Sequence, residues 1–479
     1  MPELSLRRRM AVLVICCMSL QIVGLDNTIV NVALPSLQRD LNASVSGLQW
    51  TIDAYTLVLA SLLMLSGSTA DRLGRRRVFQ TGLLVFTVGS LLCSVAPSLG
   101  WLVVFRMVQA VGGSMLNPVA LSILSNTFTE PRERAQALGV WGGMIGISMA
   151  LGPVVGGALV HAFGWRAVFW VNVPVGLVAV ALTARFVPES KAGHARRPDP
   201  IGQLSILVGL AALTYAIITG PHEGWTSARV LGAFTVAALA TTCLLVYEPQ
   251  RAEPLLELKF FRSIPFSGAT AIAACAFFAL GGFLFLNTLY LQEARGLSAL
   301  EAGLYTLPMA VMTMVFAPVS GALVGRRGTR MPLVLAGLAI TVSSLLLTAI
   351  TRDTPMPWLL VAYMVFGAGF GLVNTPATST AVSGMPAGQA GVAAATTSTS
   401  RQVGQSLGVA VVGAAASAQG NVLTSGFASA THTGWWLSAA CGFLILLLGV
   451  LTTTRGALRS ADGLAHESFT SCRRSGLSR

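Results

Sequence analysis

Fourteen stretches of this chain are long and apolar enough to cross a bilayer, and no other feature limits its fold so tightly. A span needs about 20 mostly apolar residues. Such runs fall near 10–34, 47–70, 78–97, 101–125, 136–160, 166–187, 201–220, 227–248, 266–291, 301–325, 331–350, 357–379, 394–418 and 434–455. Hydrocarbon offers the backbone no hydrogen-bond partner, so a run of this length is expected to be a helix, which satisfies its own polar groups. Composition agrees. Charged residues are 10% of the 479, against roughly 25% in soluble domains, and mean hydropathy is +0.71. So few charges cannot coat a water-facing surface, which excludes a soluble enzyme, a disordered protein and a coiled coil. The expected fold class is all-α and integral to a membrane.

The formal charge of +13 reflects where arginine and lysine sit between spans. With the N-terminus cytoplasmic, 24 of the 31 fall on the inner side. Only Arg39, Arg166, Arg229, Arg295 and Arg352 fall outside, and Arg106 and Arg401 lie within spans. This bias is the positive-inside rule. It sets a multi-pass protein of the cytoplasmic (inner) membrane with both termini cytoplasmic, and it supports an even number of helices. Arg7, Arg8 and Arg9 precede the first run, but no small-residue cleavage site follows, so that run is read as an uncleaved span. No basic face with interleaved aromatics points to nucleic acid. Neither lysine, Lys191 nor Lys259, follows a glycine, so there is no phosphate loop for ATP. No CxxC pair or HExxH spacing suggests a metal site.

The chain repeats itself. Gly67, Arg72, Gly74 and Arg76, after the second span, recur 254 positions later at Gly321, Arg326, Gly328 and Arg330. Gly112 and Asn117 recur as Gly369 and Asn374, offset by 257. These echoes equate spans 1–6 with 9–14 and leave spans 7 and 8 as an insert, a transporter plan of two halves about a central cavity. The expected division is 1–190 for the first six-helix half, 191–262 for the insert, 263–455 for the second half and 456–479 for a disordered cytoplasmic tail.

Only two acidic residues, Asp26 and Asp53, lie well inside spans. A carboxylate in hydrocarbon is costly and faces a cavity or a partner. Asp26, Asp53 and Arg106 each sit roughly 8–12 Å below the outer surface at 1.5 Å per residue, a depth that allows one polar cluster. Burial raises a carboxyl pKa and a nearby arginine lowers it, so a site alternating between wet and dry can load and release a proton; a structural ion pair is the other reading. On this basis Asp26→Asn is expected to abolish proton-driven transport at near-normal abundance. The loop Gly67, Asp71, Arg72, Gly74, Arg75 and Arg76 reads as an inner-face gate latch as well as a topogenic segment. Its glycines would permit tight turning and close approach, and Asp71 would meet an arginine or helix N–H groups. The second copy carries Gly325 in place of that aspartate, so the latch is expected to be asymmetric. Gly142, Gly146, Gly152, Pro153, Gly156 and Gly157 in span 5 suit close helix packing and a bend, a pliable seam. Gln109, Asn287, Tyr290, Asn374 and Arg401 are candidates for a substrate cavity, with interhelical bonding the alternative. Arg401 reads equally as an anchor at the cytoplasmic end.

At these residues the sequence resembles the major facilitator superfamily, and more closely its fourteen-spanner drug:proton antiporters. Residues 25–35 (LDNTIVNVALP) resemble that branch's helix 1 motif, Gly67 to Arg77 its loop 2–3 motif, and 106–113 (RMVQAVGG) the helix 4 motif assigned to proton coupling. In the last, Ala110 stands where a glycine is usual. Gly152-Pro153 with Gly156-Gly157 resembles the helix 5 antiporter signature, and Trp50 with Asp53-Ala54-Tyr55 resembles the branch's helix 2. The resemblance implies the major facilitator fold, two six-helix halves plus two inserted helices. It also implies exchange of an external proton for an internal hydrophobic, often cationic, drug or antibiotic, with no cofactor, no metal and no enzymatic activity. Its implied partners are that small molecule, protons and lipid, and the protein would act as a monomer in a bacterial cell membrane and confer antibiotic resistance. The second-half spans lack an acidic residue, which disfavours dicationic substrates. A proton-coupled importer of a small metabolite on the same fold is the alternative, separated by the direction of flux.

Overall fold

The computed structural model describes residues 5–191, 199–251, 258–385, 390–417, 427–454, 456–457 and 459–460. Among these there is no strand. The first half runs α1 (Leu6–Leu41), α2 (Val45–Leu73), α3 (Arg75–Ser94), α4 (Leu99–Ser114), α5 (Asn117–Thr127), α6 (Pro131–Phe163), α7 (Ala167–Trp170) and α8 (Asn172–Phe186). The pairs α4–α5 and α7–α8 each form one broken rod. A hairpin follows, α9 (Pro200–Glu223) and α10 (Ala228–Tyr247). The second half runs α11 (Ile264–Leu289), which ends in a π-helical turn at Tyr290–Ala294, then α12 (Ala299–Arg327), α13 (Arg330–Leu347), α14 (Met356–Ser383), α15 (Ala390–Ser417) and α16 (Phe427–Leu451). Among the described residues twelve rods have the length and hydropathy of membrane spans. The long helices α6 and α15 lie between them.

Local chemistry sets the boundaries. Ser44 caps α2 by accepting from Gly47 N at 3.2 Å, and Ser298 with Glu301 forms a capping box on α12. Gly74, Gly164, Gly224 and Gly328 end α2, α6, α9 and α12 with positive φ. Gly74 and Gly328 are partners in the 254-residue echo, so that echo marks equivalent helix ends. The 257-residue echo marks equivalent helix contacts. A methyl added to Gly112 of α4 would sit 2.3 Å from the Phe86 amide of α3, and one on Gly369 of α14 would sit 3.0 Å from the Ala336 carbonyl of α13.

Polarity is inverted relative to a soluble protein. Leu84, Leu239, Leu245 and Val246 are exposed, while Asp26, Asp53, Arg106 and Gln109 are buried. The outer surface suits lipid and the polar groups satisfy one another inside. Hairpin α9–α10 rests through α9 on α2 and α15, with Tyr215 against Trp50 at 6.3 Å. Ala457, at the start of the expected tail, is buried, and Ser460 Oγ accepts from Ile264 N at 3.1 Å. The chain therefore docks on α11 for a few residues beyond α16, which corrects the expected disordered start; residues 461–479 lie outside the described residues.

The halves meet through α6–α12, α2–α15 and α1–α11. Three hydrogen bonds cross the boundary among the described residues. Gln49 Nε2 donates to the Val409 and Ala410 carbonyls at 3.0 and 2.9 Å, and Gln292 Nε2 to the Val32 carbonyl at 2.9 Å. All lie towards the end of the bundle opposite the arginine-rich loops. So does the closest glycine contact between the halves among the described residues, where a methyl on Gly303 of α12 would sit 2.2 Å from the Pro153 carbonyl of α6. The bundle is clasped at that end.

A double variant, Gln49→Cys with Gly413→Cys in a cysteine-free background, tests the clasp. A Cβ at 413 would lie 2.7 Å from Gln49 Cδ, within disulfide reach of a cysteine at 49. Copper-phenanthroline should cross-link the pair in membranes within minutes, read as protection from thiol alkylation. Full alkylation after oxidation would mean the clasp is not populated.

Candidate functional site

Asp26 is caged. Its Oδ2 accepts from Arg106 Nη1 at 2.5 Å, and its Oδ1 from Gln109 Nε2 at 2.8 Å and Asn172 Nδ2 at 3.1 Å. Arg106 also donates to Gln109 Oε1 at 2.7 Å and through Nε to the Thr51 carbonyl at 3.2 Å. Gln109 further donates to Ser90 Oγ at 2.7 Å. The guanidinium lies 4.1 Å from the Tyr55 ring centroid and 5.7 Å from that of Phe169. These groups come from α1, α2, α3, α4, α7 and α8, and Asp26, Arg106 and Gln109 are at most 1% exposed.

Helical spacing accounts for part of this cage. Arg106 and Gln109 are three apart on α4 and share a face, so one helix delivers both a cation and an amide to the same carboxylate. The cage shows that Gln109 belongs to the ion pair and not to a substrate cavity. Sequence reasoning overlooked Asn172, Ser90 and Thr51, and named Tyr55 only within the helix 2 resemblance. Asn172 is the sole amide in the span 166–187 apart from backbone, a signal that was there to be read; Thr51 contributes a carbonyl, which no side-chain pattern reveals.

Asp53 stands apart, so equal depth did not mean one cluster. It faces the second half, buried, with the Thr56 and Ser406 hydroxyls alongside. Neither carboxyl oxygen has a well-formed hydrogen bond, and neither does Ser406 Oγ. Asp53 is about 12 Å along α2 from its start at 1.5 Å per residue, roughly one helical turn past Gln49 and the clasp.

The loop between α2 and α3 is held within its own half. Arg75 donates to Asp71 Oδ1 at 3.1 and 2.8 Å. Arg76 N donates to Glu189 Oε1 at 3.1 Å and its guanidinium to the Ala184 carbonyl at 2.5 Å. Arg75 N donates to the Ser190 carbonyl at 2.9 Å. Glu189, not singled out in the sequence, is the receiving carboxylate. Gly74 adopts φ +112°, and a methyl there would sit 2.5 Å from Glu189 Oε1. Gly67 differs: it lies inside α2, and an added methyl would meet Pro118 at an ordinary 3.8 Å, so no tight turn or close approach requires it. Arg72 is exposed and makes no ion pair among the described residues. In the second copy, Gly325 faces open space.

Span 5 glycines face two neighbours. Gly152 and Gly156 pack on α1, where added methyls would sit 1.9 Å from Thr28 Oγ1 and 2.7 Å from Ile29 Cγ1. Gly157 and Pro153 face α12 across the boundary, at the Ala299 carbonyl and Gly303. Gly142 and Gly146 belong to α6, and their surroundings lie outside the described residues. Of the remaining cavity candidates, Tyr290 donates to the Thr351 carbonyl at 2.6 Å and is buried structure. Asn287 accepts from Tyr363 and leaves its Nδ2 unpartnered, beside a space of about 10 Å³ lined by Thr28, Asn31, Pro153 and Thr306. That is room for about one water. Arg401 donates to Thr378 Oγ1 at 2.6 Å. Asn374 is half-buried one turn from Thr378.

The chain is similar to known proteins. The family model for the Major Facilitator Superfamily matches residues 16–409. The multidrug resistance protein Stp of Mycobacterium tuberculosis is 37% identical over 407 residues, covering 85% of this chain and 76% of that one. The tetracenomycin C resistance and export protein of Streptomyces glaucescens is 37% identical over 415 residues, covering 86% and 77%. The methylenomycin A resistance protein of Streptomyces coelicolor is 37% identical over 397 residues, covering 81% and 82%. Among solved structures, a D-xylose-proton symporter superposes with a TM-score of 0.67 at 15% identity, covering 92% of this chain and 97% of that one, a likeness of fold. With a family model spanning most of its length and relatives this similar, the chain belongs to the Major Facilitator Superfamily.

Proposed function

We propose that this protein exports hydrophobic drugs or antibiotics across the cytoplasmic membrane in exchange for protons, by alternating access. Relatives named for multidrug resistance and for antibiotic resistance and export support the direction. In this reading α6 and α15 also cross the bilayer, giving fourteen spans and a division at 1–190, 191–262 and 263–455. The arginine-rich end is cytoplasmic, so the clasped end is external and the conformation is closed to the outside. The protein works as a monomer without a cofactor.

The observation that carries the proton role is the placement of Asp53. It is a buried carboxyl on the contact between halves, with no partner of its own and an unpartnered hydroxyl, Ser406, facing it. Neutral, Asp53 can donate to Ser406 and let α2 close on α15. Ionised in this apolar setting, with no cation beside it among the described residues and only hydroxyls alongside, it is costly, so it favours an opened, hydrated seam. Proton binding from outside thereby favours outer closure. Asp26 differs: its charge is already matched by Arg106, and the pair holds the first half together.

The two aspartates should separate by experiment. In inside-out vesicles, an imposed acid-inside gradient should drive accumulation of a neutral antibiotic, radiolabelled chloramphenicol, by wild type. Asp53→Asn should reduce accumulation to the level of empty vesicles, with melting of the purified protein unchanged. Asp26→Asn should also lose transport but melt lower, because it strands Arg106; breaking a buried pair costs about 3–5 kcal/mol. Sequence alone leads to an expectation of near-normal abundance; the buried pair leads us to expect a loss of stability instead. Gradient-driven accumulation at wild-type level in Asp53→Asn removes it from coupling. Gly74→Ala should cost roughly 1–3 kcal/mol through its positive φ, seen as faster tryptic cleavage at Arg75–Arg77; unchanged cleavage would mean the loop tolerates the strain.

A further inference from the structure

We propose that Arg401 is the anion-recognising centre of the substrate site, and that the preferred substrates carry a carboxylate or a comparably acidic oxygen. The inference rests on the export reading above and narrows its substrate class.

Arg401 is the one charged residue in the interior of the second-half spans. It lies about 16 Å from the start of α15 at 1.5 Å per residue, well away from either helix end. An arginine at that depth normally pairs with a carboxylate or backbone carbonyls, or faces a watery cavity. Here no carboxylate lies within ion-pair distance among the described residues. Among the described residues its polar and ring contacts are one hydrogen bond to Thr378 Oγ1 on α14 and the Phe277 ring of α11 at 5.8 Å. Thr378 Oγ1 in turn donates to the Asn374 carbonyl, so that hydroxyl is committed. A guanidinium has several more N–H donors, and none of those has a protein partner among the described residues. Arg401, Phe277, Thr378 and Asn374 are all half-buried, so the cluster is open on one side.

The contrast with Arg106 defines the chemistry. Arg106 has the same charge but is sealed, with a carboxylate, an amide and a carbonyl filling its donors. Arg401 presents the same planar fork, suited to bidentate carboxylate, with the acceptor missing. Phe277, backed by the buried Phe370 at 5.2 Å, offers an apolar aromatic face, and the Asn374 side-chain amide has no hydrogen bond among the described residues. A hydrophobic, aromatic acid fits these groups; a cation would meet an uncompensated positive charge.

Binding to the full-length protein in lipid nanodiscs tests this with a matched set of probes: 1-pyrenebutyrate, neutral 1-pyrenebutanol and cationic 1-pyrenemethylamine. Wild type should bind the acid at least about tenfold more tightly than the alcohol, the worth of one charge-assisted contact, and the amine most weakly. Arg401→Gln keeps a donor for Thr378 and should erase the preference, the acid then binding no more tightly than the alcohol. Arg401→Lys should retain part of it. Equal binding of acid and alcohol by wild type, no binding of the acid, or an undiminished preference in Arg401→Gln would overturn the proposal. Accumulation of the neutral chloramphenicol in vesicles reads the export reading separately. Were that to fail while the acid preference still depended on Arg401, the anion site would stand and the direction of transport would be wrong.

Discussion

The cancellation of charge between Asp26 and Arg106 is the interaction on which the first half depends. Neither group could be left alone at this depth, since an isolated ion in an apolar interior costs several kcal/mol. Together they still leave lone pairs and N–H groups to satisfy, and Gln109, Asn172, Ser90 and the Thr51 carbonyl complete the set. Those groups come from most helices of the half. Moving any one of them strands a buried polar atom, so the half is constrained to move as a body. Motion that exposes a site alternately to the two sides must then occur between halves.

The boundary between halves is built for such motion. On one side of α6, Gly152 and Gly156 press into α1, within the rigid half; on the other, Gly157 and Pro153 meet Gly303 of α12. Pro153 lacks an N–H, so α6 carries a weakened hydrogen-bond ladder where it meets the other half. Contact there is backbone to backbone, with little side-chain interdigitation to undo. The cross-boundary hydrogen bonds are similarly few, made by glutamines Gln49 and Gln292 to main-chain carbonyls. Amide-to-carbonyl bonds contribute about 1 kcal/mol net each, small enough to exchange for water.

Much of the fold was legible because lipid enforces it. Apolar length locates the spans, as at α9 and α10, within a few residues of where the helices lie. The echoes Gly74/Gly328 and Gly112/Gly369 coincide with equivalent helix ends and equivalent close contacts. Side-chain direction was less legible. Depth along a helix placed Asp26, Asp53 and Arg106 at one level, but the face each occupies depends on helix rotation, and Asp53 turns towards α15 while Asp26 turns inward. Gln109 and Tyr290 look like cavity polar groups in sequence, yet each is used up, one by a carboxylate and one by the Thr351 carbonyl. Glu189 escaped notice because its partner loop lies more than a hundred residues away, and sequence alone carries no trace of such a pairing.

The two halves treat charge in opposite ways, and this asymmetry bears on coupling. The first half buries an anion and a cation together and is neutral at its centre. Beyond that pair, the interior charges among the described spans are Asp53 on the seam and Arg401 in the second half, and they act on different partners. Asp53 responds to a proton and to the approach of α15. Arg401 lies on α15 itself, five residues from the Ser406 that faces Asp53. A substrate held at Arg401 and a proton held at Asp53 would therefore both act on the position of one helix. Coupling needs no direct contact between ligand and proton under this arrangement; it needs only that α15 have two positions, and that each ligand favour a different one.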